Sequence, residues 1–219
     1  MIKLLIFDFD GTLADTRELI VRTNQEAMRA MNHPVLPPER ITPTIGLPLE
    51  EGLRTMMPDV AADQLPEWVK TYRRIFESLK GRIIPTLFPH VEETLQRLHG
   101  QGFVLTVASS RLSRSLNDFL RDMGIAPLFT YVLGADNVSK AKPDPEPVLQ
   151  TLRDLGYPAS EALVVGDMPV DILMGLGAGA FTCGVTLGNS DRAALLAAGA
   201  HAVIDDFAEL SAVIQRLPA

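Results

Sequence analysis

The chain opens Met1-Ile2-Lys3-Leu4-Leu5-Ile6-Phe7-Asp8-Phe9-Asp10-Gly11-Thr12-Leu13-Ala14-Asp15-Thr16. A short apolar run over 4–9 leads straight into two aspartates spaced one residue apart. The run is nearly continuous rather than alternating, which suits a strand covered on both faces, as in a parallel sheet. Side chains alternate along a strand, so Phe7 and Phe9 are expected on the face opposite Asp8 and Asp10. A carboxylate at the end of a buried strand is costly unless something is paired with it, and a second like charge nearby adds to the cost. The fold therefore turns on which strands stand beside this one, and on what they bring to the two acids.

The 219 residues suffice for one large domain, or for a core domain carrying a smaller inserted one. With 47% hydrophobic and 21% charged residues, the composition is that of a globular protein and excludes a disordered one. Net charge is -7 and no block of Lys or Arg stands out, so no nucleic-acid partner is expected. The acidity does not exclude a phosphorylated substrate, because a local cation overrides the global sign. The single cysteine, Cys183, lies in an apolar run, cannot form an intrachain disulfide, and reads as a small buried apolar residue. That usage fits a reducing compartment. The first apolar run is too short for a signal peptide or a membrane span. The expectation is a cytoplasmic protein with no membrane partner, as a monomer or a homodimer.

Further β-branched apolar runs at 103–108, 131–133, 162–165, 181–185 and 202–204 read as buried strands. Helical patterns lie around them at 91–98, 113–123, 146–155, 170–176 and 191–198, the last four followed by Gly124, Gly156, Gly177 and Gly199. Strand and helix in alternation predict an α/β fold, a Rossmann-like, doubly wound, mostly parallel sheet. The stretch 16–82 breaks the rhythm. It shows no convincing strand but has helical patterns at 17–31, 49–57 and 68–79, with Pro34, Pro37 and Pro38 ending the first. The predicted organisation is a catalytic core from 1–15 and 83–219, interrupted by an α-helical cap domain at 16–82 whose two hinges lie beside the aspartates.

Ligands of open α/β sheets bind outside the carboxyl ends of the strands. Those ends carry Asp8, Asp10, Gly11 and Thr12; then Ser109, Ser110 and Arg111; then Lys142, in the segment after the third run; then Asp167, with Asp171 four residues on. Singly, each has an ordinary structural explanation. Asp10-Gly11 suits a tight turn, Ser109, Ser110 and Asp167 suit helix caps, and Lys142 suits a solvated surface. Together they place acids, hydroxyls and a lysine at one sheet edge. Acids that would repel each other in an empty site call for a cation. The oxygen-rich donor set selects Mg²⁺, with Asp8, Asp167 and the Asp10 backbone carbonyl as ligands. No Cys/His cluster serves zinc; His33, His90, His99 and His201 are scattered and read as surface or packing residues.

With these residues in place, the chain resembles the haloacid dehalogenase superfamily. Asp8-Phe9-Asp10-Gly11-Thr12-Leu13 with Asp15-Thr16 is similar to its first motif, Ser109 after a strand to its second, Lys142 in Lys142-Pro143-Asp144-Pro145 to its third, and Gly166-Asp167 with Asp171 to its fourth. The insert is similar to the helical cap of that superfamily. Gly46-Leu47-Pro48, Gly184-Val185-Thr186-Leu187-Gly188 and Ala198-Gly199-Ala200 resemble the phosphoglycolate phosphatase branch. The resemblance implies a Mg²⁺-dependent phosphatase acting on a small phosphorylated metabolite. Asp8 is then the nucleophile that becomes an aspartyl-phosphate, and Asp10 the general acid and later base. Ser109, Ser110, Gly11, Thr12 and Gly46 serve phosphate or substrate. Lys142 steadies Asp8, Asp167 ligates metal, and Asp171 either completes the metal shell or orients Lys142.

Rival members separate on single residues. A 2-haloacid dehalogenase lacks the second acid of motif one, which is present here as Asp10. A β-phosphoglucomutase-like mutase carries a histidine and an arginine where this chain has Ile20 and Leu49. A phosphonate hydrolase needs a cap lysine, for which Lys70 and Lys80 are the candidates. A pyrophosphatase stays open beside the phosphomonoesterase. A non-enzymatic phospho-acceptor would bear its aspartate on a middle strand and have no insert. The cap arginines Arg17, Arg22, Arg54, Arg73, Arg74 and Arg82 are candidate readers of a second anion on the substrate. The family often has Pro-Gly at the return from the cap, where this chain has Pro89-His90.

Overall fold

The computed structural model describes residues 1–218. Eight strands form: β1 (Leu4–Phe7), β2 (Ala14–Asp15), β3 (Thr86–Leu87), β4 (Val104–Ala108), β5 (Tyr131–Leu133), β6 (Ala162–Gly166), β7 (Phe181–Val185) and β8 (Ala202–Ile204). The α-helices are α1 (Arg17–Ala30), α2 (Pro38–Ile41), α3 (Leu49–Met56), α4 (Leu65–Leu79), α5 (Val91–Gly100), α6 (Ser113–Asp122), α7 (Glu146–Leu155), α8 (Pro169–Gly177), α9 (Arg192–Ala197) and α10 (Leu210–Arg216).

Six strands make one sheet in the order β5-β4-β1-β6-β7-β8, and every neighbouring pair is parallel. The opening strand is central. Leu4 pairs in register with Val104 on one side and Ala162 on the other, and Phe7 with Val107 and Val165. The chain winds outward from β1 through β4 to β5, then returns to β6 and winds the other way. The strand order therefore reverses at β1, and the crevice of a doubly wound sheet opens at its carboxyl end. The expected α/β architecture is present.

Alternation sorts the buried residues of β1 into two apolar clusters. Leu5 and Phe7 join Leu105, Val107, Leu163 and Val165 beneath α5, α6 and α10; Leu4 and Ile6 join Val164 beneath α7 and α8. Cys183 is fully buried in the first cluster, as its apolar run predicts. The strand stops at Phe7 rather than running to residue 9. The Phe9 carbonyl instead accepts from the Leu13 and Ala14 amides at 3.0 and 3.1 Å, turning the chain directly after the second acid. Phe9 still reaches the cluster of Phe7, stacking on Phe119 with ring centroids 6.0 Å apart. Strict alternation ends there. The guanidinium that grips Asp10 lies 5.9 Å above the Phe9 ring, so acid and ring share a neighbour.

Between Asp15 and Thr86 the chain forms helices and, among the described residues, no strand. Val21, Met28, Ile41, Leu53, Met56, Trp68 and Ile75 make a separate apolar cluster within this segment. Leu19 and Phe76, at its two ends, belong instead to the cluster beneath the sheet. The exit and the return lie side by side, because β2 and β3 pair antiparallel, with Ala14 opposite Leu87 and Asp15 opposite Thr86. Two-residue strands leave no periodic signal, which is why this ribbon escapes a reading of the sequence. The same holds for α2, where Pro38 occupies the first turn and starts a short helix instead of only ending the previous one. Helix α10 was not anticipated either. At the Pro89-His90 return, His90 takes a left-handed φ of 63°, the conformation glycine adopts most readily, and its Nδ1 lies 2.8 Å from Asp206 Oδ1.

Candidate active site

At the carboxyl edge of the sheet, the loop after β1 brings Asp8, the loop between β5 and α7 brings Lys142, and the turn from β6 into α8 brings Asp167 and Asp171. All four side chains are buried. Lys142 Nζ lies 2.6 Å from Asp8 Oδ1 and 2.6 Å from Asp171 Oδ1, an ammonium clamped between carboxylates that are distant in sequence. The other oxygen of Asp171 accepts from the Met168 amide at 3.1 Å, fixing the carboxylate at the helix entrance. Burial alone would lower the Lys142 pKa, but Asp171 and Asp8 outweigh it and hold the ammonium above the ordinary lysine value. Burial raises the Asp8 carboxyl well above the usual range against the pull of Lys142.

Asp167 is held from both sides. Thr12 Oγ1 donates to Oδ1 at 3.1 Å, while Asn189 donates to Oδ2 from its backbone amide at 2.8 Å and its side-chain amide at 2.9 Å. Burial, reinforced by Asp171, pushes its carboxyl up to about 7. Gly11 is at φ +85°, and a Cβ there would lie 2.3 Å from Asp167 Oδ2, so only glycine lets the first loop pass this close.

Asp8, Asp167 and Asp171 each offer an oxygen within 4.8 Å of the others, and Asp8 Oδ2 is buried without a hydrogen-bond partner. Ionising all three carboxylates against one ammonium would put two negative charges in a dry place, in keeping with the raised Asp8 and Asp167 carboxyls. An orphaned oxygen and that charge balance fit a divalent cation with oxygen ligands.

The second acid stands apart from this group. Asp10 Oδ1 accepts from Thr16 Oγ1 at 2.6 Å, and Arg111 grips the same carboxylate through Nη2 on Oδ1 and through Nε on Oδ2, the latter at 3.1 Å. Burial alone would lower the Arg111 pKa, yet the pair with Asp10 raises it, so the guanidinium stays charged. Ser109 is buried, and its hydroxyl accepts from the Arg111 amide at 3.2 Å. Ser110 donates to the Gly46 carbonyl at 2.8 Å, so this hydroxyl joins the core to the insert. Gly46 itself is at φ +96°.

A cavity of about 760 Å³ reaches from Asp8, Asp10, Ser109 and Ser110 to the helical insert, where Ile20, Asn24, Gly46, Val69, Tyr72 and Arg73 line it. Of the six candidate arginines, Arg73 alone is among the lining residues; Arg17 is turned to the Gly188 carbonyl at 2.9 Å. Lys70 and Lys80 pair with acids, Glu67 for the first and Glu77 and Asp118 for the second, and neither lines the cavity. Burial pushes the Tyr72 phenol up to about 12, with a further rise from Asp10 against a fall from Arg111, so it is a neutral donor at this wall. His201 meets Thr182 and Phe181, His90 meets Asp206, and His33 stands edge-on to Trp68, in keeping with surface and packing positions.

The fold thus gathers Asp8, Asp10, Gly11, Thr12, Ser109, Ser110, Lys142, Asp167 and Asp171 into one region, with Gly46 facing them. Two further members, Asn189 and Arg111, are not expected as site residues from the sequence. Asn189 directly follows the stretch Gly184-Val185-Thr186-Leu187-Gly188, and that position is the one signal that points to it. Arg111 could have been weighed as the cation at the end of the second core strand, beside an acid pair with only one lysine to offset it.

A family model described as haloacid dehalogenase-like hydrolase matches residues 5–185. The chain is 37% identical to the "probable phosphatase IndB" of Dickeya dadantii, covering 96% of this chain and 92% of the relative. It is 35% identical to the pyrophosphatase PpaX of Bacillus velezensis, covering 84% and 83%. It is 30% identical to a phosphoglycolate phosphatase of Vibrio parahaemolyticus, covering 97% and 96%. Among solved structures, a hydrolase from Pseudomonas syringae superposes with a TM-score of 0.85 at 26% identity, covering 99% of this chain and all of that one, 100%.

Proposed function

The chain belongs to the haloacid dehalogenase-like hydrolases, and on that premise we propose that it is a Mg²⁺-dependent phosphatase that hydrolyses a small phosphorylated metabolite through an aspartyl-phosphate. The observation that carries this reading is Lys142 bridging Asp8 and Asp171 at 2.6 Å each, beside the unpartnered Asp8 Oδ2. An aspartate held against an ammonium at one oxygen, with the other oxygen free, is placed as a nucleophile, and a bound cation would favour its ionised form.

In this reading an Asp8 oxygen bonds to phosphorus as the bond from phosphorus to the ester oxygen breaks. The Asp10 carboxyl gives its proton to that oxygen, and an alcohol leaves. Water then attacks the phosphorus of the aspartyl-phosphate, Asp10 takes the proton, the bond to Asp8 breaks, and inorganic phosphate departs with Asp10 reprotonated. Ser109 and Lys142 stabilise the charge that develops on the transferring group. Asp8, Asp167 and the Asp10 carbonyl would hold the metal. When bound, Mg²⁺ neutralises phosphoryl charge and keeps Asp8 ionised. Asp171 accepts from Lys142 and from the Met168 amide, which supports a role in orienting Lys142.

Phosphoglycolate-like phosphomonoesters are the leading substrate class. The phosphoglycolate phosphatase at 30% identity supports this, and Arg73 on the cavity wall suits a second anion. The pyrophosphatase at 35% identity keeps pyrophosphate as the second reading. The test is a panel of phosphorylated metabolites and pyrophosphate, assayed with Mg²⁺ and after chelation, with Asp8→Asn as the blank. The expected result is turnover of a phosphomonoester that chelation abolishes and added Mg²⁺ restores. Metal-independent turnover, or an active Asp8→Asn variant, overturns the mechanism. Halide release from a haloacid would move the protein to the dehalogenases, and isomerisation of a sugar phosphate to the mutases.

A further inference from the structure

Among the described residues, three buried side-chain polar atoms have no hydrogen-bond partner: Asp8 Oδ2, Asn189 Oδ1 and Asn24 Oδ1. The first two stand at the charge cluster on the core wall, where Asp8 meets Lys142 and Asn189 holds Asp167. The third belongs to the opposite wall, on α1, and the charge cluster does not account for it. Asn24 is 4% exposed and lines the cavity with Ile20, one turn earlier, and with Thr44, Val69 and Tyr72.

The direction of the Asn24 amide is set by its neighbour. Nδ2 donates to the Ile20 carbonyl at 3.0 Å, and a carbonyl only accepts, so the carboxamide oxygen is the atom left over. Inside α1 the Ile20 carbonyl already has the Asn24 backbone amide as its helical donor, so the side-chain bond satisfies nothing that the helix leaves open. Thr23, the other buried polar residue of this helix, spends its hydroxyl on the Leu19 carbonyl at 2.7 Å. A buried acceptor with no donor costs stability. Helix α4, packed against α1, brings Tyr72 to the same cavity. Its phenol, pushed up to about 12 by burial, keeps its proton at neutral pH and donates. The insert wall thus pairs an unfilled acceptor with a donor. A hydroxyl satisfies both, whereas a carboxylate or phosphoryl oxygen only accepts and leaves Asn24 unpaired.

We propose that Asn24 is a specificity-determining residue whose carboxamide oxygen takes a hydrogen bond from a hydroxyl on the leaving group. The preferred substrates are then phosphomonoesters of polyols and hydroxy acids, rather than esters whose leaving group carries no donor. The inference rests on the phosphomonoesterase reading and adds a hydroxyl to the substrate class named there.

The experiment uses two matched pairs, assayed by kcat/KM with Mg²⁺: glycerol 3-phosphate against propyl phosphate, and 3-phosphoglycerate against its analogue without the hydroxyl. In the pair that wild type turns over faster, the hydroxylated member is expected to lead by about tenfold, the size of one hydrogen bond to a buried acceptor. Asn24→Leu, close in shape but without the acceptor, is expected to bring that ratio to within about twofold, with the loss falling on the hydroxylated member. Its melting temperature is expected to stay level or rise, because the orphaned oxygen is gone. Tyr72→Phe is expected to narrow the ratio less. A wild-type ratio near one in both pairs, a ratio that survives Asn24→Leu, or equal losses on all four esters would each overturn the proposal. So would a folded Asn24→Leu that melts several degrees lower, which makes the carboxamide a structural group. If Asn24→Leu does not fold, Asn24→Ala, which adds no bulk, decides by the ratio. Turnover of phosphoglycolate with none of the four esters used removes this inference alone; no turnover of any phosphomonoester removes the reading beneath it as well.

Discussion

The two walls of the cavity are built differently. On the core wall, side chains from distant strand ends meet at hydrogen-bond distance and bury their charges. Lys142 lies between Asp8 and Asp171, and Thr12 and Asn189 hold Asp167. On the insert wall, α1, α3 and α4 offer mostly apolar surface, with Ile20, Val69 and Phe76 beside Tyr72 and the exposed Arg73. A wall of interlocked charges cannot vary one residue without stranding another, whereas an apolar wall can change shape at low cost. On the proposed function, bond-making belongs to the core wall and selection of the leaving group to the insert.

The sharpest way to break this contrast is Lys142→Met. Removing one member of a buried charge cluster leaves the others uncompensated, at a cost of about 3–5 kcal/mol, and takes charge stabilisation from the transition state. Loss of nearly all turnover together with a marked fall in the denaturant midpoint is expected; a stable, active variant would mean the core wall is not interlocked. Gly11→Ala comes next. The left-handed φ costs roughly 1–2 kcal/mol for a residue with a Cβ, and the new methyl would meet the Asp167 carboxylate. Lower stability with weaker Mg²⁺ affinity by calorimetry is the expected pair of effects.

On the other wall, Arg73→Ala should raise KM for a substrate with a second anion by up to about fivefold, the worth of an exposed charge contact. It should leave kcat within about twofold and the melting temperature unmoved. A collapse of kcat would place chemistry on the insert. The smallest effect belongs to Asp118→Asn, which cuts the contact of 3.2 Å between Lys80, just after α4, and the core helix α6. Hydrogen bonding to Lys80 is the largest influence that lowers the Asp118 carboxyl. Its contribution is therefore present above the unfolded carboxylate pKa and disappears as pH falls through the lower folded value. Each side chain of the pair is 26% exposed, within reach of solvent, and the pair is worth less than about 1 kcal/mol, so the variant and wild type should differ slightly in urea midpoint at neutral pH and converge in acid.

Legibility in the sequence followed the same division. Long buried strands and the helices between them declare themselves by apolar runs and glycine stops, so β5, β7, β8 and α7 fall within the expected bounds to the residue. The carboxyl ends of parallel strands share one edge of the sheet, so the strand pattern alone places Asp8, Lys142 and Asp167 near one another. The β2–β3 ribbon, α2 and α10 carry too few residues for a period to show. Asn189 and Arg111 act through contacts across the fold, and their neighbours in sequence do not specify those partners.

The sequence by itself determined the α/β class and the chemical types gathered at the strand ends, because periodicity and strand-end composition are local properties. Only the tertiary structure decided the partners. It put Lys142 between Asp8 and Asp171, left Asp8 Oδ2 without a hydrogen bond, and gave Asp10 to Thr16 and Arg111. Two carboxylates one residue apart look alike on a strand that reads Phe-Asp-Phe-Asp. They part company because the chain turns after Phe9, sending one acid into the charge cluster at the crevice and the other to the arginine at the foot of the insert.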